Sequence, residues 1–166
     1  MLYLSDPRQF LVFKLGTALT MEETIVTVLR ELAEIANEDR VGEQLLRHRD
    51  ETRAQIRNIT HAFAALGNEP KPQPCPAIEA LRTEGELTIQ RTTPELQDLV
   101  ILAGCAEIEH HEIAVYESLI TLAGQLDESD IAALLEENLG QEKQALEEVE
   151  TAFGQLAKAL AEHVTA

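Results

Sequence analysis

Apolar residues recur at three- and four-residue steps along most of the chain, the spacing of one buried face on an α-helix. Four long stretches carry this pattern. The first has Leu11, Leu15 and Ala18, then Ile25, Leu29, Leu32 and Ala36. The second runs through Val41, Leu45, His48, Thr52 or Gln55, Ile59, Phe63 and Leu66. In the third, Leu99, Leu102 and Ala106 precede Ile113, Tyr116, Ile120 and Ala123. The fourth begins at Ile131 and Leu135, passes Asn138 or Leu139, and continues through Leu146, Val149, Phe153, Leu156 and Leu160. Ser5-Asp6-Pro7 and Thr93-Pro94-Glu95 each place a capping residue before a proline in the first turn. Gly67-Asn68 supplies a stop signal. The predicted helices cover about 6–36, 39–66, 77–91, 94–126 and 130–163. Glu69-Pro-Lys-Pro-Gln-Pro-Cys-Pro76 cannot be helical and reads as a stiff connection. Two helix pairs with tight turns, joined by a long crossover that holds one short helix, predict an all-α four-helix bundle in a single domain, 1–166.

The apolar stripes are interrupted by acid near mid-length. Glu22 breaks the first, Glu109 the third, with Glu112 one step round, and Glu142 the fourth. In the second helix, His48 and Glu51 are three residues apart and share a face in a polar stretch between two apolar ends. Glu22 also admits a position at the stripe's edge, because Met21 and Val28 offer a neighbouring apolar line. Taken alone, His48 reads as a hydrogen-bonded histidine. Glu22 and Glu51 are 29 residues apart, and Glu109 and Glu142 are 33 apart. Antiparallel pairing around short turns brings each pair to a similar height. Four carboxylates converging in low dielectric repel one another unless a counter-charge is present. Two divalent cations supply that charge, and carboxylate oxygens with an imidazole suit iron or manganese, iron ahead of manganese.

Composition narrows the class further. A formal charge of −17 opposes binding to nucleic acid or to anionic membranes, and it attracts cations. No apolar run approaches a membrane span, and the N-terminus lacks the basic and small-residue features of a secretory signal. The two cysteines, Cys75 and Cys105, are too few for a disulfide framework. A cytoplasmic protein with reduced thiols is therefore expected. His61 and His111 fall off the stripes, His163 lies near a fraying terminus, and none of them carries a role. No phosphate-binding glycine loop or nucleophile constellation is present.

Several segments together resemble the YciE/YciF-like family of ferritin-like bacterial proteins, which are often stress-associated. They are Asp6-Pro7-Arg8, His48-x-x-Glu51-Thr52-x-x-Gln55, Cys75-x-Ala77 with Glu84-Gly85, Glu109-His110-x-Glu112-Ile113-Ala114-x-Tyr116, and Leu134-Leu135-Glu136-Glu137 with Glu142-Lys143. They keep the family's order over nearly the whole chain. The resemblance implies a ferritin-like bundle, a carboxylate-rich dinuclear metal site and a homodimer. The wider ferritin-like group uses Glu-x-x-His on two helices. Here the second helix has the reverse order, and no histidine lies near Glu142.

The expected metal ligands are thus Glu22, His48, Glu51, Glu109, Glu112 and Glu142. His110 is held as an outer or alternate ligand, and Tyr116 as a hydrogen-bond partner of a ligand carboxylate or an ordinary core residue. Such a site, with two divalent ions, would handle peroxide, oxygen or ferrous iron. The competing reading is a helical stress-response interaction protein whose metal is structural or absent. A cage-forming iron store is a third.

Overall fold

The computed structural model describes residues 3–164, without the side chains of 163 and 164, so the side chain of His163 lies outside the described residues. The helices are α1 (Pro7–Ile35), α2 (Asp39–Ala65), α3 (Pro76–Ile89), α4 (Gln97–Gln125) and α5 (Ser129–Val164). They form an all-α, ferritin-like four-helix bundle, with α3 in the crossover between the α1–α2 and α4–α5 pairs. Helix α2 also packs on α5, and α1 on α4, so the four long helices enclose a common interior. Helix α3 lies outside against α4 and α1, and of its residues only Ile78 is fully buried. No described helix is long and apolar enough to cross a membrane.

Local chemistry accounts for the boundaries. Asp6 caps α1 by accepting the Gln9 N–H at 2.9 Å. Gly67 takes φ +69° after α2, which lets the Asn68 N–H reach the Phe63 carbonyl at 3.0 Å. The predicted start of α4 differs in one respect. Pro94–Leu96 form a 3-10 turn before the α-helix begins at Gln97, and Thr93 makes no side-chain capping bond. Proline has no N–H to donate, so the first turn can tighten without losing a bond. The capping work at this end goes to a residue the periodicity did not single out. Asp98, buried in the first turn of α4, accepts the backbone N–H groups of Asn37 and Glu38, both at 2.8 Å. This carboxylate ties the α1–α2 turn to the second helix pair.

The proline-rich connection is pinned to α1 at Gly16, whose carbonyl accepts the Gln73 N–H at 2.9 Å. A Cβ on Gly16 would lie 2.5 Å from the Lys71 carbonyl oxygen. Gly to Ala inside a helix normally adds up to about 1 kcal/mol of stability. At this position Gly16→Ala is expected to destabilise by roughly 1–3 kcal/mol instead, because backbone must move. Urea denaturation would show it as a lower midpoint.

Apolar packing fills both ends of the bundle. Leu11, Leu15, Phe63 and Ile131 are completely buried toward one end, and Leu29, Val41, Leu45 and Ile101 nearly so toward the other. Burial of this kind drives the helices together. It leaves a polar layer at mid-height between two apolar ends.

Candidate metal centre

The mid-height layer is built from Glu22 of α1, His48, Thr52 and Gln55 of α2, Glu109, Glu112 and Tyr116 of α4, and Asn138 and Glu142 of α5, all of them buried. The helical repeat dictates this, since 48, 52 and 55 fall on one face of α2, and 109, 112 and 116 on one face of α4. The described inward face of α4 includes Ile108, Glu109 and Glu112, while Ile113 is only half-buried. Both glutamates are therefore fully inside.

His48, Glu109, Glu112 and Glu142 each bring one ligand atom to within 4.8 Å of the others. His48 Nε2 is 3.0 Å from Glu109 Oε1 and 3.7 Å from Glu142 Oε2. At those ion-pair distances Nε2 still lacks the alignment of a hydrogen bond. Oε2 of Glu109, Oε2 of Glu142, Oε2 of Glu22 and both oxygens of Glu112 are likewise buried with no hydrogen-bond partner. Orphaned polar atoms are rare in protein interiors, and each costs roughly 1–3 kcal/mol or more when charged. Here they converge. A hard first-row divalent cation suits three carboxylates and an imidazole, so the donor set fits the metal that the resemblance implies.

The electrostatics have the same cause. Burial pushes Glu22 up to about 7, although the hydrogen bond from Tyr116 pulls the other way. Glu112 is raised well above the ordinary carboxylate range by burial, then by Glu142 and Glu22 beside it. Glu142 is raised by burial and by Glu22 and Glu109. Burial alone would lower His48, but the carboxylates of Glu109 and Glu51 beside it hold it well above its usual value. Glu22 and Glu112 influence each other's protonation directly. Cations and protons thus compete for the same oxygens.

A hydrogen-bonded frame holds the cluster on the side away from its histidine. The Tyr116 hydroxyl donates to Glu22 Oε1. Asn138 Nδ2 donates to the Tyr116 hydroxyl at 3.0 Å and to the Gln55 carbonyl at 3.3 Å, and Asn58 Nδ2 donates to Asn138 Oδ1 at 2.8 Å. Gln55 Nε2 donates to Glu142 Oε1. One oxygen of Glu22 and one of Glu142 are thereby fixed, and the second oxygen of each is left free. The Thr52 hydroxyl accompanies His48 by donating to its carbonyl at 2.9 Å.

Two sequence expectations change. Glu51 does not face Glu22 across the interior. Its side chain is 48% exposed, and it joins the site through His48 Nδ1 at 3.4 Å. On a helix it lies about 60° round from His48, at the edge of the inward face. His110 lies outside the cluster of possible ligand atoms. Its side chain is 64% exposed and stands 4.0 Å from Glu150 on the solvent side. Tyr116, by contrast, does bond Glu22. Gln55 and Asn138 were visible only as polar alternatives on the core lines of their helices. Cys75 and Cys105 are both unpaired, and burial pushes the Cys105 thiol up and out of the reactive range.

A four-helix bundle of this topology, with a carboxylate–imidazole cluster in its interior, defines a ferritin-like fold. The chain belongs to the family described as a domain of unknown function, DUF892, whose profile matches residues 6–162. It is 32% identical over 131 residues to Protein YciF of Escherichia coli strain K12, covering 78% of this chain and 79% of that one. Among solved structures, the E. coli stress protein YciF superposes with a TM-score of 0.88 at 25% identity, over 93% of this chain and 99% of that one. YcfI from Rhodopseudomonas palustris gives a TM-score of 0.86 at 31% identity, over 89% of this chain and 94% of that one. A protein from Xanthomonas campestris pv. campestris shares the fold, with a TM-score of 0.74 at 22% identity.

Proposed function

We propose that this protein is a stress-associated ferritin-like metalloprotein that holds two divalent ions, iron in preference to manganese, and handles peroxide, oxygen or ferrous iron. The single observation that carries this reading is the set of buried, unpartnered oxygens on Glu109, Glu112, Glu142 and Glu22 around His48 Nε2. Glu109, Glu112, Glu142 and His48 are the proposed core ligands. Glu22 adjoins them through Glu112, and Glu51 acts on the site through His48.

Once bound, the metal supplies Lewis acidity and redox change that no side chain here can provide. The chain's own residues do the rest. Tyr116 and Gln55 hold the outward oxygens of Glu22 and Glu142, so the other oxygens face the interior. Glu51 fixes the ring of His48 by accepting from Nδ1, which orients Nε2 inward. Leu29, Leu45 and Val149 pack as apolar residues above the cluster, and Ile59 and Leu135 below it. The proposal also takes the chain to work as one domain, in the cytoplasm, as a homodimer without nucleic-acid partners.

A second reading has its own support. Glu22 is pushed up to about 7, and Glu112 and Glu142 are raised as well. Protons can therefore quiet the cluster without metal, as a stress-response interaction protein would need. Equilibrium dialysis of the metal-free chain against Fe2+ without oxygen, and against Mn2+, separates the two. The expected result is about two ions per chain for the native protein, with a loss of at least tenfold in affinity for Glu109→Ala combined with Glu142→Ala. Ion binding followed by oxidant-dependent turnover supports the first reading. No binding in the native chain leaves the interaction reading.

A further inference from the structure

The buried cluster has one flank open to solvent. On the Tyr116 side it is closed by Gln55, Asn138 and Tyr116 itself, all fully buried and hydrogen-bonded. On the opposite side, between α2 and α5, a cavity of about 240 Å3 reaches from the surface to His48 and Glu109. Its mouth carries Glu51 and Arg47 from α2 and Glu148 from α5, all exposed. Its inner wall carries two nearly buried groups, His48 and Glu109, each with an atom that has no hydrogen-bond partner. The His48 ring connects the two levels, with Nδ1 3.4 Å from Glu51 outside and Nε2 3.0 Å from Glu109 inside.

We propose that this cavity is the port through which divalent cations reach the buried cluster, with Glu51 and Glu148 as a shallow capture site at its mouth. The inference rests on the metal-binding reading above and adds to it a route and two residues outside the cluster. A chain of formal charge −17 draws cations toward its whole surface. A cleft lined by carboxylates with low-dielectric walls focuses that attraction locally. Leu29, Leu45 and Val149 supply such walls here. Glu51 is too exposed to hold an ion tightly, which suits a group that must release it inward. Arg47 at the same mouth opposes the approach of cations and sets the sign of a control.

Stopped-flow mixing of the metal-free full chain with Co2+, followed by the visible absorption of bound cobalt, tests the port separately from the cluster. Glu51→Gln combined with Glu148→Gln is expected to slow bimolecular uptake roughly tenfold, and Glu148→Gln alone to slow it while leaving the final number of bound ions unchanged. Arg47→Glu is expected to speed uptake, and Glu84→Gln on α3 to leave it as in the native chain. Unchanged uptake in the double variant with normal final binding overturns the port. A drop in final binding for Glu148→Gln, which makes no hydrogen bond or ion pair with the cluster residues, overturns the shallow-capture assignment. Failure of the native chain to bind Co2+, Fe2+ or Mn2+ at all removes the metal reading itself.

Discussion

Glu112→Gln is expected to make the metal-free protein more stable by roughly 1–3 kcal/mol at pH 7.5, a rise in Tm of about 2–10 °C. The reason is the position of the carboxyl. Glu112 is fully buried, neither of its oxygens has a partner, and Glu142, Glu22 and Glu109 stand close by. Its ordinary pKa is 4.5, so at pH 7.5 the folded chain must either hold a proton against solution or bury an unpaired charge. A neutral isostere avoids both, and its amide N–H groups find acceptors among the neighbouring carboxylates. The same change removes a proposed ligand, so the stabilisation that divalent ions give the native chain, about 2.7 kcal/mol at a hundredfold excess over Kd, should vanish. Calorimetry of both proteins, with chelator and with Mn2+, measures the two effects. A less stable metal-free variant, or one that keeps the full response to Mn2+, would contradict this account. Glu136→Gln on the solvated face of α5 serves as the control and should shift stability by less than about 0.5 kcal/mol.

The second large effect is on pH dependence, and its sign is opposite to that of a salt-bridged carboxylate. Glu22 has a folded pKa of about 7 against 4.5 ordinarily. Between those values the folded chain binds more protons than the unfolded chain, so stability falls as pH rises. Glu22 alone accounts for roughly 3 kcal/mol across that window. Glu112 and Glu142 are raised and act in the same direction. His48 is also raised, so its contribution is complete below about 6.5 and is lost as pH climbs through its folded value. The metal-free Tm is therefore expected to drop steadily from pH 5 to pH 8. Divalent ions should flatten the slope, because they replace the protons on the same oxygens. Glu22→Gln should reduce the slope without added metal. A metal-free Tm that is flat or rises over this range would show that the buried carboxyls are satisfied in another way.

The bundle was legible because each long helix repeats its apolar residues without interruption at both ends. Proline and glycine then mark the connections where the backbone needs them, at Pro7, Pro76 and Gly67. The polar layer was legible for a related reason: Glu22, Glu109 and Glu142 stand where the stripe demands an apolar residue, and all three are buried. Glu51 was harder. A 60° offset on a helix separates the inner face from its edge, and a sequence stripe is about that wide. The structure gives the inward position to His48 and leaves Glu51 at the rim. Gln55 and Asn138 escaped as functional residues because an uncharged amide on a core line looks like a tolerated exception. Only the partners across the bundle, Glu142 and Tyr116, reveal what they hold. Asp98 escaped altogether, since the backbone N–H groups it caps belong to a turn about 60 residues away.

Anomalous diffraction from crystals of the full chain grown with Mn2+ would test the central claim most directly. The account predicts strong anomalous peaks inside the bundle, enclosed by Glu109, Glu112, Glu142 and His48 with Glu22 adjoining. Those peaks should be absent from crystals of the Glu109→Ala, Glu142→Ala variant. Manganese found only on surface carboxylates, with the mid-height layer unchanged and free of anomalous signal, would contradict it.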